Sequence, residues 1–187
     1  MDEEQSSEEA SAPDEKRENL LAELSENLGE MLIDSYLRPH EDLWLRVRIE
    51  NWQDAVKIAK AAGFTYFGFL SAIDWDIAPD GRYENTEFDG GLVEEDDDPV
   101  ELDTSTGYAG GDSRFQLLAQ LNSLDRQMGL ILKADLEDNL VVDTIRDVFP
   151  GADWHEREAH EMFGIVFQGH PTLHPLYLPT EFEGHPL

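Results

Sequence analysis

Leu43-Trp-Leu-Arg-Val-Arg-Ile49, Trp52-Gln-Asp-Ala-Val-Lys-Ile-Ala-Lys-Ala-Ala62-Gly63 and Phe64-Thr-Tyr-Phe-Gly-Phe-Leu-Ser-Ala-Ile73 follow one another almost without a break. In the first stretch Leu43, Leu45, Val47 and Ile49 alternate with Trp44, Arg46 and Arg48, the two-residue period of a half-buried strand. In the second, Ala55, Val56, Ile58, Ala59 and Ala62 share one helical face, with Asn51 placed to cap the start and Gly63 to stop the end. The third is an apolar and aromatic run that enters a loop at Asp74, Trp75 and Asp76, with Asp74 read as capping the end of that element. Strand, helix, strand is the resulting rhythm.

Outward from this unit, Leu20, Leu21, Leu24 and Leu28 predict a short helix ended by Gly29, and Met31–Leu37 a strand broken by Pro39. Toward the C-terminus, Arg114–Asn122 and Met128–Ala134 read as two strands of a hairpin turned through Ser123–Gln127. Leu140–Phe149 has helical spacing, closed by Pro150 and Gly151. Pro171, Pro175, Pro179 and Pro186 forbid regular structure near the end. These elements predict an α+β fold, a mixed or antiparallel sheet packed by helices, with an extended proline-rich C-terminal arm. Its organisation is an acidic disordered tail over 1–17, an α/β domain over 18–150 with an acidic loop at about 76–112, and a charged helix plus arm over 151–187.

The 187 residues carry 42 acidic and 13 basic side chains, a formal charge of −29. Such a field repels nucleic-acid phosphates and anionic lipid, and it favours basic protein surfaces or high salt. The chain has no cysteine, which removes disulfides, thiolate nucleophiles and cysteine-ligated zinc or iron–sulfur sites. Met1–Arg17 is acidic where a signal peptide is basic, and no apolar run reaches the length of a span. A cytoplasmic location is expected, with membrane association only through other proteins.

Asp153-Trp-His-Glu-Arg-Glu-Ala-His-Glu-Met-Phe-Gly164 concentrates acids, imidazoles and an arginine in about three helical turns. Two imidazoles sharing one zinc sit four apart, about 40° around the helix; His155 and His160 are five apart, about 140°, which disfavours a hydrolytic zinc site. The same residues make i, i+4 pairs of Asp153 with Arg157, Arg157 with Glu161 and Glu156 with His160. That pattern suits either a solvated charged helix or one facing a partner whose cations satisfy Glu156 or Glu158. Five of the six histidines lie from His155 onward, which raises the question of metal at His170, His174 and His185. In Gly-His-Pro turns such residues read as hydrogen-bonding, structural histidines. Asp74, Asp76 and the acidic loop lack the spacing of a calcium loop. No phosphate-binding loop, nucleophile elbow or dinucleotide fingerprint is present.

Glu156-Arg157-Glu158-x-x-Glu161-Met162-Phe163-Gly164-Ile165, followed by Gly169-His170-Pro171 and Gly184-His185-Pro186-Leu187, resembles the signature of the 30-kDa subunit, the C subunit, of proton-pumping NADH:quinone oxidoreductase, respiratory complex I. The resemblance covers about Met31 to Leu187. It implies a non-catalytic subunit of the peripheral arm, on the cytoplasmic side of the cell membrane. It also implies that this subunit docks the 49-kDa-type subunit and the one with the terminal iron–sulfur cluster, supporting electron transfer from NADH to quinone. No cofactor is bound by such a chain; FMN, the iron–sulfur clusters and quinone belong to its partners. Carried over by position, Glu156, Arg157, Glu158 and Glu161 are signature polar residues, Met162, Phe163 and Gly164 the packing end of the helix, and His170 with Pro171 the later signature. Three departures stand out. Glu161 replaces a more usual Asp, His174 replaces a usual Arg, and Leu187 ends the chain where many members continue into a basic segment. The equivalent subunit of an energy-converting hydrogenase or F420H2 dehydrogenase is therefore a second reading.

Two readings come from other classes. A metal-dependent hydrolase using His155, His160, His170 and a carboxylate requires stoichiometric zinc. An acidic binding module for basic partners requires binding that survives loss of Glu156–Gly164 and fails without the acidic loop.

Overall fold

The structure, a computed structural model, describes residues 14–76, 106–179 and 181–187. The expectations for residues 1–13 and for 77–105 of the acidic loop lie outside the described residues. Helix α1 spans Glu15–Leu28, α2 Trp52–Ala61 and α3 Ala152–Phe163. The strands are β1 Leu32–Tyr36, β2 Leu43–Val47, β3 Tyr66–Asp74, β4 Phe115–Ser123, β5 Met128–Asp135, β6 Val141–Asp143 and β7 Val166–Gln168.

The expected α+β class with a mixed sheet is what the chain adopts. Five strands run in the order β1-β2-β5-β4-β3; β2 and β5 are parallel and every other neighbouring pair is antiparallel. The alternation in Leu43–Val47 works as expected: Leu43, Leu45 and Val47 are buried, while Trp44 and Arg46 take the other face. In register with them, Leu130, Leu132 and Ala134 of β5 and Leu117, Ala119 and Leu121 of β4 form the apolar face. Leu20, Leu24 and Leu28 of α1 and Trp52, Ala55, Val56 and Ala59 of α2 belong to the same core. Each fully buried leucine there is worth about 1.5–3 kcal/mol of transfer free energy.

Some expectations give way. Glu15, Lys16 and Arg17 are helical rather than part of a tail, because Asp14 accepts from the Arg17 backbone N–H at 3.2 Å and from its guanidinium at 2.5 Å. Asn51 makes no side-chain cap; a 3-10 turn over Ile49–Asn51 leads directly into α2. Asp74 holds a bidentate contact with Arg114, at 2.9 and 2.7 Å, besides accepting from the Asp76 N–H. Thr106–Asp112, which composition places in the loose loop, are folded onto the second face of the sheet. Lys133 on that face is 1% exposed and donates to the carbonyls of Thr106 (2.5 Å) and Tyr108 (3.0 Å), and burial lowers its pKa. Tyr108 also stacks on Tyr36, with 4.4 Å between ring centroids.

The largest correction concerns Leu140–Phe149, which is no helix. Val141–Asp143 form β6, pairing in parallel with β7, and one turn follows in which Ile145 accepts from Val148 and Phe149. The helical spacing is genuine, since Val142, Ile145, Val148 and Phe149 are all buried. A strand followed by a turn satisfies the same spacing. Ala152, Ala159, Ile165 and Phe167 join the common core, so α3 belongs to the α/β domain and not to a segment set apart at residue 151.

Candidate functional site

Helix α3 starts after Pro150-Gly151 and ends at Gly164, whose φ of +79° is the left-handed cap that glycine adopts without strain. A Cβ there would lie 2.9 Å from the ring of His185, so the terminus also needs glycine for close packing. The helix packs against β3, where His155 donates from Nδ1 to the Leu70 carbonyl at 3.2 Å and meets Phe67 edge-on.

The ion-pair lattice expected along this helix does not form. Asp153, Glu156, Arg157 and Glu161 each reach across to another segment instead. Glu156 is fully buried, and its carboxylate accepts from the Thr144 hydroxyl at 2.5 Å and the Ile145 N–H at 2.7 Å. Burial pushes its pKa up to about 7 despite these two donors. It therefore needs no partner's cation. Asp153 takes the Arg146 guanidinium at 2.5 Å and lies 3.3 Å from Nε2 of His170, within ion-pair reach but without hydrogen-bond alignment. The His170 side chain is 1% exposed, and its Nδ1 accepts from the Thr172 N–H.

Farther along, Arg157 donates to the carbonyls of His174 (3.0 Å) and Pro175 (3.2 Å). Glu161 accepts three consecutive backbone N–H groups, from Leu176 (3.0 Å), Tyr177 (2.9 Å) and Leu178 (2.7 Å). Burial alone raises the Glu161 pKa, but these donors and the nearby Arg157 charge hold it below the usual carboxylate range. The Met162 carbonyl accepts from the Leu187 N–H, and Phe163 meets Phe115 edge-on. The helix is thus a post to which the following chain is fastened by anion-to-amide and guanidinium-to-carbonyl bonds.

Glu158 makes no hydrogen bond or ion pair among the described residues, and Pro171 is exposed. Facing outward are Trp154 at 65% exposure and Tyr177 at 64%, with Phe182 and Leu187 also exposed. His155, His160 and His170, grouped in the hydrolytic reading, contact Leu70, Ile165 and Asp153 respectively, and among the described residues no three His, Asp or Glu side chains gather as a metal-binding group. Sequence reasoning misses Thr144 and Arg146 as members of the site, because the segment containing them reads as helix. The signal for them is present: a Thr between a strand pattern and a Pro-Gly stop suits a side-chain-capped turn.

Residues 45–187 match the model of the family described as the respiratory-chain NADH dehydrogenase 30 Kd subunit. The chain is 42% identical over 80 residues to the C subunit of NADH-quinone oxidoreductase from Xanthobacter autotrophicus, a match covering 43% of this chain and 38% of that protein. It is 46% identical over 76 residues to the C/D subunit of the same enzyme from Acinetobacter baumannii, covering 40% of this chain and 13% of that protein. The aligned part thus spans well under half of either relative. Two solved structures share the fold. The trypsin-resistant fragment of Nqo5 has a TM-score of 0.56 at 22% identity, covering 84% of this chain and 98% of that one. A chain of the membrane-bound sulfane sulfur reductase, an archaeal respiratory membrane complex, has a TM-score of 0.58 at 19% identity, covering 82% and 71%.

Proposed function

Because the chain belongs to the family of the respiratory-chain NADH dehydrogenase 30 kDa subunit, we propose that it is a non-catalytic docking subunit in the peripheral arm of a proton-translocating NADH:quinone oxidoreductase. In this role it holds the 49-kDa-type subunit and the terminal iron–sulfur subunit in register for electron transfer to quinone, on the cytoplasmic side of the membrane. FMN, the iron–sulfur clusters and quinone are carried by those partners, and this chain supplies no redox group or catalytic metal.

One observation carries the reading: Glu156, Arg157 and Glu161 of the charged signature hold their own chain, whereas Trp154, Tyr177 and Phe182 turn outward. Aromatic side chains exposed on a segment whose polar groups are already satisfied are the usual anchors of a protein interface. Among the described residues no helix is long and apolar enough to cross a membrane, so in this reading membrane association is indirect. The fold shared with a chain of an archaeal respiratory membrane complex keeps the hydrogenase or F420H2 dehydrogenase equivalent as the second reading.

The test is affinity capture of the tagged chain from its native membranes at moderate salt, with mass spectrometry of the co-purifying proteins. Recovery of a 49-kDa-like subunit and iron–sulfur proteins, lost on Trp154→Ala, supports the proposal, and the donor proteins recovered decide between the two readings. A chain that elutes alone from intact membranes overturns it.

A further inference from the structure

His160 lies in the last turn of α3 and His185 near the end of the chain that leaves that helix and returns to it, and their imidazoles are fixed in the same way. Nδ1 of His160 lies 2.8 Å from the carbonyl oxygen of Ile165, and Nδ1 of His185 lies 2.9 Å from that of Glu161. A carbonyl only accepts, so each Nδ1 carries a proton, which leaves Nε2 as the ring nitrogen able to ligate. A backbone carbonyl on the far ring N–H is the support that metal-binding imidazoles characteristically have.

The spacing suits a shared ion. The ring centroids are 6.2 Å apart with 62° between the planes. An ion bonded to two imidazole nitrogens at roughly 2.0–2.1 Å holds the ring centres roughly 5.2 Å apart at the tetrahedral angle and roughly 6.4 Å apart when the bonds are opposed, so 6.2 Å fits a nearly opposed, tetragonal pair. Both rings line one cleft of about 220 Å³, which leaves room for coordinated water. Glu161 lines it too, but both its oxygens are engaged by the Leu176–Leu178 amides, so it is no third ligand. The close approach of His185 to Gly164 adds to this placement, since any larger residue at 164 would displace the ring.

We propose that His160 and His185 form a two-histidine site for a divalent metal of tetragonal preference, Ni²⁺ or Cu²⁺, bound through Nε2 with water completing the coordination. The ion would staple the C-terminal segment to α3. Imidazole ligands select these metals over Ca²⁺ and Mg²⁺, which prefer all-oxygen sites. The site shares only His160 with the hydrolytic grouping and involves no chemical step. It does not depend on the docking role.

The experiment uses the full chain, stripped of metal by a chelator, titrated with Ni²⁺ at neutral pH and moderate salt in the calorimeter, with the rate of proteolysis at the C-terminal segment followed in parallel. One equivalent is expected to bind and to slow cleavage after residue 173. His185→Ala should weaken binding roughly tenfold or more, as loss of one of two ligands demands, while His185→Cys retains it through a thiolate. His174→Ala, on the same exposed segment, should leave the titration unchanged. Excess Ca²⁺ should not compete. A His185→Ala chain of unaltered melting temperature that binds Ni²⁺ like the parent overturns the proposal, as does competition by Ca²⁺, which would assign the binding to surface carboxylates.

Discussion

Glu156 and Glu161 lie on the same helix and are shifted in opposite directions: burial raises one to about 7, and backbone amides hold the other below the ordinary carboxylate range. The difference comes from the donors that reach each group. Glu156 is fully buried and receives a single backbone N–H and one hydroxyl, whereas three amides converge on Glu161.

Glu156 makes stability depend on pH. Its folded pKa of about 7 exceeds the ordinary glutamate value of 4.5, so the folded chain binds more protons than the unfolded one between those values. Its contribution is full below about 4.5 and is lost as pH rises through about 7. Glu156→Gln should remove that slope and, at pH 8, stabilise the chain by up to about 3 kcal/mol. Urea melts at pH 5 and pH 8 compare the two slopes; parallel curves for parent and variant would refute it.

Glu161→Ala leaves three amides without their acceptor. The expected loss is local: faster hydrogen exchange at Leu176, Tyr177 and Leu178 by the equivalent of about 1–3 kcal/mol, with little change in the global melt. Glu161→Asp, shorter by one methylene, should fall between parent and Ala. A global melt lowered as much as the local protection would contradict this.

Arg157 grips two carbonyls of its own chain in place of the ion pairs with Asp153 and Glu161 that its helical spacing suggests. Arg157→Lys, with a single ammonium, cannot reproduce that fork. Capture of partner subunits should fall severalfold while the melt of the isolated chain moves by less than about 1 kcal/mol, since the contact is exposed. Equal losses in both assays would refute this.

The charge of −29 opposes compaction. Raising KCl from about 0.1 M to 1 M should therefore lift the melting temperature by several degrees, because the screening length falls from about 10 to 3 Å. A flat or falling melting temperature would show that the acids are already neutralised locally.

The fold is legible wherever one period serves one element. Leu43–Val47 and the β4–β5 hairpin follow from alternation, and α2 from its apolar stripe. The failure at Leu140–Phe149 arises because a buried strand and a single turn mimic helical spacing. For the candidate site, composition draws attention to α3, but spacing assigns the bonds of its charged residues wrongly. Spacing shows which side chains share a helix face, as with Arg157 and Glu161, but not which distant backbone passes over that face. The amides of Leu176–Leu178 and the turn at Thr144–Ile145 are such backbones, and nothing local to α3 announces them.

The parallel pairing of β2 with β5 has a kinetic consequence. It is bridged by Arg46 and Asp135, 89 residues apart in the chain and 2.7 Å apart in space, while β4–β5 pairs across a short turn. The hairpin can zip as soon as it exists, but this seam must wait for a long loop to close, and closure entropy makes such contacts slow. Until it closes, two apolar strand edges stand open in the middle of the future sheet. The nascent chain is then most exposed to mispairing after β2 has emerged and before β5 arrives.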